Sequence, residues 1–211
     1  MINIAIVDYG MCNARSIANM LRKAGHDSVV TSRPGDIETA RKLVLPGVGS
    51  FDQGMTALQE KGLREVLERK AHDERVPILG ICLGAQLMTR GSEEGEKPGL
   101  GWLPATTRKF VNPTGETKIK TPHMGWNHIR ITRPHSIFNE LPQPARFYFL
   151  HSYHFEPEVS DLAIAETIYG NSFASGLAQE NLIALQFHPE KSHRFGLQVM
   201  NNFASIPNRD T

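Results

Sequence analysis

Residues 77–88 read PILGICLGAQLM. An apolar run of strand character delivers Cys82 between two glycines and passes at once into residues of helical character. Gly80-Ile81-Cys82-Leu83-Gly84 has the G-x-nucleophile-x-G form, in which a sharp strand-to-helix turn exposes the central side chain above a sheet edge. Glycines flank the cysteine because a Cβ two residues away would collide in so tight a bend. The corner also sets the thiol at a helix N-terminus, where free backbone N–H groups and the helix dipole stabilise a thiolate. Free cysteine is equally among the most buried residue types, so the pentapeptide by itself is compatible with a nucleophile and with simple packing.

Outward from this corner the chain alternates strands and helices. Ile2 to Val7 is a buried-strand run closed by Asp8, Tyr9 and Gly10, and Asn13 to Ala24 follows with apolar residues at helical spacing, ending at Gly25. Further strands are predicted at Ser28–Ser32, Leu43–Leu45 and Pro77–Ile81. Residues 50–74 carry a helical stripe interrupted near Gly62. Such alternation predicts an α/β fold with a mostly parallel central sheet covered by helices on both faces. After about residue 100 the texture turns β-rich (WLPATTRKF, NHIRIT, RFYFL, IAETIY, LIALQF) and predicts an added antiparallel part, before a last helix over Phe195–Phe203. No linker, repeat or low-complexity segment divides residues 1–211, so one domain is expected.

Composition excludes several function classes. Lys and Arg number 23 against 22 Asp and Glu, so no strong field invites nucleic acid or an anionic membrane. No run approaches the roughly 20 apolar residues of a membrane span, and the start lacks a secretory pattern; a cytoplasmic protein is expected. The two cysteines, Cys12 and Cys82, sit in contexts too different for a disulfide framework or a metal knuckle, so reduced thiols are expected.

A thiolate nucleophile needs a proton-transfer partner held by a third group. His188 ends the apolar run LIALQF, and Glu190 lies two residues on in QFHPEKS. In an extended chain residues i and i+2 face the same side, so imidazole and carboxylate can meet, with Pro189 stiffening the link. An exposed strand end with an incidental His and Glu is the plainer alternative. LPGVGSF, residues 45–51, is a third piece: another strand ends in a glycine-bearing loop that could turn a backbone N–H of Val48 or Gly49 toward the site. With the N–H of Leu83 it would supply two donors to an oxyanion; a plain turn remains open.

These pieces, in this order, resemble a known family. IVDYGMCNARS, LPGVGSFDQGM, GICLGAQLM, PHMGWN, YFLHSYHF and QFHPEKS together look like a class I, triad-type glutamine amidotransferase, most closely the glutaminase subunit of imidazole glycerol phosphate synthase. The resemblance implies that Cys82 is the nucleophile, His188 the general acid/base and Glu190 the orienting carboxylate. It implies oxyanion donors among Val48, Gly49 and Leu83, and L-glutamine held by Gln86, Glu94, Ser152 and Tyr153. Asn13, Met124, Trp126 and Lys191 match positions facing a synthase partner of (β/α)8 barrel type, which would receive ammonia in a heterodimer of histidine biosynthesis. No metal or cofactor is implied.

Departures from the family pattern are specific. Cys12 stands where a glycine is usual, which bears on the shape of that loop, and ALQFHPE replaces a more usual G-T-Q-F-H-P-E. KSHRFGLQ and HSYHF look like paralogues that supply ammonia for an acetamidino sugar in surface-polysaccharide synthesis. A vitamin B6 glutaminase would carry a glycine-rich glutamine-binding signature that is not seen. An α/β-hydrolase would place its acid before the histidine. A silent docking or regulatory subunit is the non-enzymatic rival, and the intact Cys82, His188 and Glu190 argue against it.

Overall fold

The computed structural model describes residues 2–111 and 119–207. The first half alternates strand and helix: β1 (Ile2–Val7), α1 (Ala14–Lys23), β2 (Val29–Thr31), α2 (Pro34–Glu38), β3 (Ala40–Gly47), α3 (Phe51–Glu60), α4 (Arg64–His72), β4 (Ile78–Cys82) and α5 (Leu83–Leu87). The second half is β-rich: β5 (Ala105–Lys109), β6 (His123–His128), β7 (Arg130–Ile131), β8 (Arg146–His151), β9 (Tyr153–Pro157), β10 (Ala163–Tyr169), β11 (Asn171–Gln179) and β12 (Leu182–Leu185), closed by α6 (His193–Ser205). The predicted α1 limits fall on its caps, Asn13 and Ala24. The break at Gly62 separates α3 from α4, as the interrupted stripe predicts. The sequence reading has no counterpart for α2, β9 and β11 and meets β6 only at its end: α2 is a single short turn started by Pro34, β9 is the short YHFEP, and β11 reads NSFASGLAQ, too rich in small and polar residues to announce a strand.

Strands run in the order β2-β1-β3-β4-β12-β11-β10-β7. The pairs from β2 through β12 are parallel and those beyond are antiparallel. β9 joins β11, and β5 joins β9. The β-rich tail therefore extends the same sheet, with two qualifications. β12 enters it parallel to β4, and β6 with β8 forms a separate two-stranded antiparallel ribbon.

Strands buried on both faces read as unbroken apolar runs, and alternate side chains feed two cores. Ala5, Val7, Leu43, Leu45 and Ile78 pack under Phe51, Met55, Leu58 and Leu67 from α3 and α4. Ile4, Ile6, Val44, Leu79 and Ile81 pack under Ile17 and Leu21 of α1 and Phe195, Val199 and Phe203 of α6. Helices thus cover both faces. Parallel register does the rest: Gly47 lies opposite Cys82, and Leu185 opposite Ile81. Three loops consequently leave the carboxyl ends of neighbouring strands together, where open α/β sheets bind ligands.

Candidate active site

Cys82 ends β4 with φ 52° and ψ −114°, a left-sided conformation that costs a side-chain-bearing residue about 1–3 kcal/mol. Crowding enforces it. A Cβ on Gly84 would lie 1.9 Å from the Leu45 carbonyl oxygen, and one on Gly80 2.7 Å from the Ala85 Cα, so both glycines of the motif are sterically required. The helix that follows is only five residues long, so the nearest free N–H groups, rather than a long dipole, are what the sulfur can use. The thiol is buried, with Sγ 3.7 Å from the Leu150 carbonyl oxygen.

His188 and Glu190 meet with Nδ1 2.8 Å from Oε1, both side chains almost wholly buried. The backbone route differs from the extended one expected from spacing. β12 stops at Leu185, and Pro189–Lys191 is a 3-10 turn. Proline opens the turn at its first position, where its missing N–H costs nothing, and the turn swings the carboxylate back onto the ring. Ser192 Oγ closes it by donating to the His188 carbonyl, and the His188 N–H donates to Tyr148 O at 2.9 Å. Nε2 of the ring is buried with no hydrogen-bond partner among the described residues. Burial opposes protonation of this imidazole, but the neighbouring Cys82 sulfur and then Glu190 outweigh it, holding its pKa well above the ordinary 6.5.

A pocket of about 270 Å³ opens beside the sulfur. Cys82, His188, Val48, Gly49, Leu83, Gln86, Glu94, Ser152 and Tyr153 all line it, with Pro122, Leu150 and His151 added. Every residue expected to hold substrate or an oxyanion is therefore brought together, and Glu190 stands directly behind His188. Glu94 reaches across 43 residues of chain to accept the Phe51 N–H at 2.9 Å, capping α3 where Ser50 makes no side-chain bond. Tyr153 has its phenol held above the ordinary range by burial and then by Glu94. Gln86 spends both amide hydrogens inside the protein, on Tyr153 O at 3.2 Å and on Gln186 Oε1 at 3.1 Å.

Val48 departs from expectation. Its side chain is exposed and its N–H donates to Met11 O at 2.8 Å, so it does not face the sulfur in this conformation. The cause is local. Residues 8–12 fold back against the 46–49 loop, and their carbonyl captures the donor.

The four residues expected to face a partner lie on the surface outside the pocket. Asn13, Met124, Trp126 and Lys191 are all exposed. Trp126 stacks on the His193 ring with centroids 5.4 Å apart and has the Arg146 guanidinium over its ring at 5.4 Å, and Lys191 Nζ sits 5.6 Å over the Tyr148 ring. The other tryptophan, Trp102, is buried with its indole N–H on Glu68. Cys12 is accommodated without a positive φ, its thiol near Val7 O and Asp8 and its pKa pushed up to about 12 by burial and then Asp8. Among the described residues no cluster of metal-ligating side chains occurs, and no helix is long and apolar enough to cross a membrane.

Sequence reasoning missed Gln186, His151 and Tyr9. The first two lie within QFHPEKS and YFLHSYHF, close beside residues already singled out. Tyr9 carries a buried hydroxyl with no hydrogen-bond partner among the described residues, beside Gly47, and nothing in its sequence context signals that.

A nucleophile elbow, a buried His–Glu pair and a pocket between them define a class of thiol-dependent amide-cleaving sites, and comparison narrows it. The family model of class-I glutamine amidotransferases matches residues 5–205, and the chain belongs to that family. Among individual relatives, it is 48% identical to imidazole glycerol phosphate synthase subunit HisH 2 of Methanococcus maripaludis, over 95% of this chain and 98% of that one. It is 45% identical to the HisH subunit of Bdellovibrio bacteriovorus, over 96% and 100%. Two solved structures share the fold: a glutamine amidotransferase (TM-score 0.68, 17% identity, 93% and 98% covered) and PurLQS from Thermotoga maritima (TM-score 0.67, 17% identity, 96% and 98% covered).

Proposed function

We propose that residues 1–211 act as one glutaminase domain that hydrolyses L-glutamine to glutamate and ammonia and passes the ammonia to a (β/α)8-barrel synthase subunit making imidazole glycerol phosphate. The observation that carries the chemistry is the strained Cys82 beside a His188 whose imidazole is held protonated and backed by Glu190. The pathway rests on relatives named as HisH subunits of that synthase.

Cys82 attacks the side-chain carbonyl carbon of glutamine, forming a C–S bond. The tetrahedral oxyanion takes the Leu83 N–H, and a second donor requires the Val48 peptide to turn away from Met11. His188 gives its proton to the departing nitrogen, so ammonia leaves and a glutamyl thioester remains. The same imidazole, now neutral, takes a proton from water, which attacks the thioester and frees glutamate. Because Gln86 has committed its donors, its carboxamide oxygen is the end offered to the substrate, which suits an α-ammonium group. Glu94 adds negative charge on the same side of the pocket.

Glutamate release is measured with and without the synthase subunit, alongside stoichiometric labelling by a glutamine-analogue electrophile. Labelling at Cys82 and release that rises with the partner support the reading. Labelling unchanged in Cys82→Ala removes it, and co-purification with an amino-sugar amidating enzyme would redirect the ammonia to that acceptor.

A further inference from the structure

Gln186 is wholly buried, and its backbone N–H is fixed on Ser175 O at 3.0 Å. Its carboxamide faces two ways, and the neighbours dictate which end is which. Tyr153 O is a carbonyl and can only accept, so the Gln86 atom 3.2 Å from it is the amide nitrogen. That nitrogen also lies 3.1 Å from one end of the Gln186 carboxamide, which must then be the oxygen. The Gln186 nitrogen is left as the end 3.9 Å from Cys82 Sγ. The Tyr153 carbonyl is itself immobilised, because it also accepts from His151 Nδ1 at 2.6 Å.

We infer that Gln186 is a further catalytic group of this site, donating an amide N–H to the attacking sulfur, and that Gln86 is the positioning residue that keeps that N–H pointed there. A donor facing the sulfur favours the thiolate over the thiol, since a hydrogen bond to the charged form stabilises it. Gln86 thus has an inward role besides any contact with substrate. The inference rests on Cys82 as the nucleophile.

The test is the pH profile of Cys82 alkylation by iodoacetamide, read by mass spectrometry of the Cys82 peptide so that Cys12 does not contribute. Gln186→Met keeps the bulk and removes the donor. Its profile should move to higher pH by about half a unit or more, roughly threefold slower alkylation below the midpoint. Gln86→Met should move it the same way by less, because the Gln186 amide survives but is free to turn. A folded Gln186→Met protein whose profile superimposes on the wild type overturns the inference. Should that variant not fold, the wild-type Gln186 side-chain N–H signal in ¹⁵N NMR decides: a shift on alkylating Cys82 supports the bond, and an unmoved signal overturns it. Glutamine turnover that survives Cys82→Ala is a different result, since it sinks the nucleophile reading itself.

Discussion

At the scale of the residue, Cys82 gathers the strain, the sulfur and the position that the chemistry needs. Removing the sulfur should separate its role from the fold. Cys82→Ala is expected to cut glutamine-dependent turnover by at least about 10³-fold while ammonia-dependent synthesis by the partner stays near wild type; equal loss of both would make Cys82 structural. Glu190→Gln should be milder, because it removes charge but keeps a side chain able to meet His188 Nδ1, which Glu190 reaches at 2.8 Å. A loss as deep as that of Cys82→Ala would show that Glu190 does more than orient. Cys82, His188 and Glu190 were legible in sequence because tight corners restrict residue types. That the Val48 N–H is held on Met11 O was not legible, because a backbone N–H leaves no mark in the sequence when it turns away.

At the scale of elements, the 3-10 turn of residues 189–191 holds the triad, and α6 holds the turn. Gly196 lets α6 approach: a Cβ there would sit 1.8 Å from the Pro189 carbonyl oxygen. Gly196→Ala should cost about 3 kcal/mol, roughly 6–12 °C of Tm in a chain of this size. Turnover should fall as well, because the Glu190 turn is displaced; an unchanged Tm would show that α6 does not brace it. The ribbon β6–β8 presents Met124 and Trp126 outward, with Trp126 in contact with the His193 ring and the Arg146 guanidinium. A pre-ordered aromatic loses little entropy on docking. Trp126→Ala should weaken binding of the synthase subunit by about 30-fold, a loss of roughly 2 kcal/mol, without changing the rate of Cys82 alkylation, and an unaltered Kd would remove it from the interface. The period-two and helical patterns announced most elements. They missed α2, β9 and β11, which owe their form to neighbours rather than to their own apolar content.

At the scale of the whole molecule, pH acts through buried histidines that must stay neutral. His123 and His151 are pushed down to about 4 and about 3 by burial, and burial lowers His135 and His154 too. The bonding shows why a proton is unwelcome. His151 Nδ1 donates to Tyr153 O, its Nε2 accepts from His123 Nδ1 at 3.1 Å, and His123 Nε2 accepts from Asn127 at 3.2 Å. Each ring gives one proton and takes one, which only neutral imidazoles do. Below pH 6.5 the unfolded chain takes up protons that the fold refuses. Their contribution to stability is therefore full above about 6.5 and falls as pH drops toward 3–4, by up to about 1.4 kcal/mol per pH unit for each such group, whereas that of His188, whose pKa the fold raises, is full below about 6.5 and is lost as pH rises toward about 10. Urea midpoints at pH 7, 6 and 5 should decline steadily, and a flat series would contradict the neutral chain. By itself the sequence determined the strand–helix alternation, the corner at Cys82 and the His–Pro–Glu triplet, because local sterics and apolar periodicity act over a few residues. Tertiary structure alone decided that Gly47, Cys82 and the segment after Leu185 end side by side, that Val48 points at Met11, and that a carbonyl on residue 153 orients amides on residues 86 and 186. Those are parallel-register and hydrogen-bond choices made between segments more than 100 residues apart, and no local pattern encodes them.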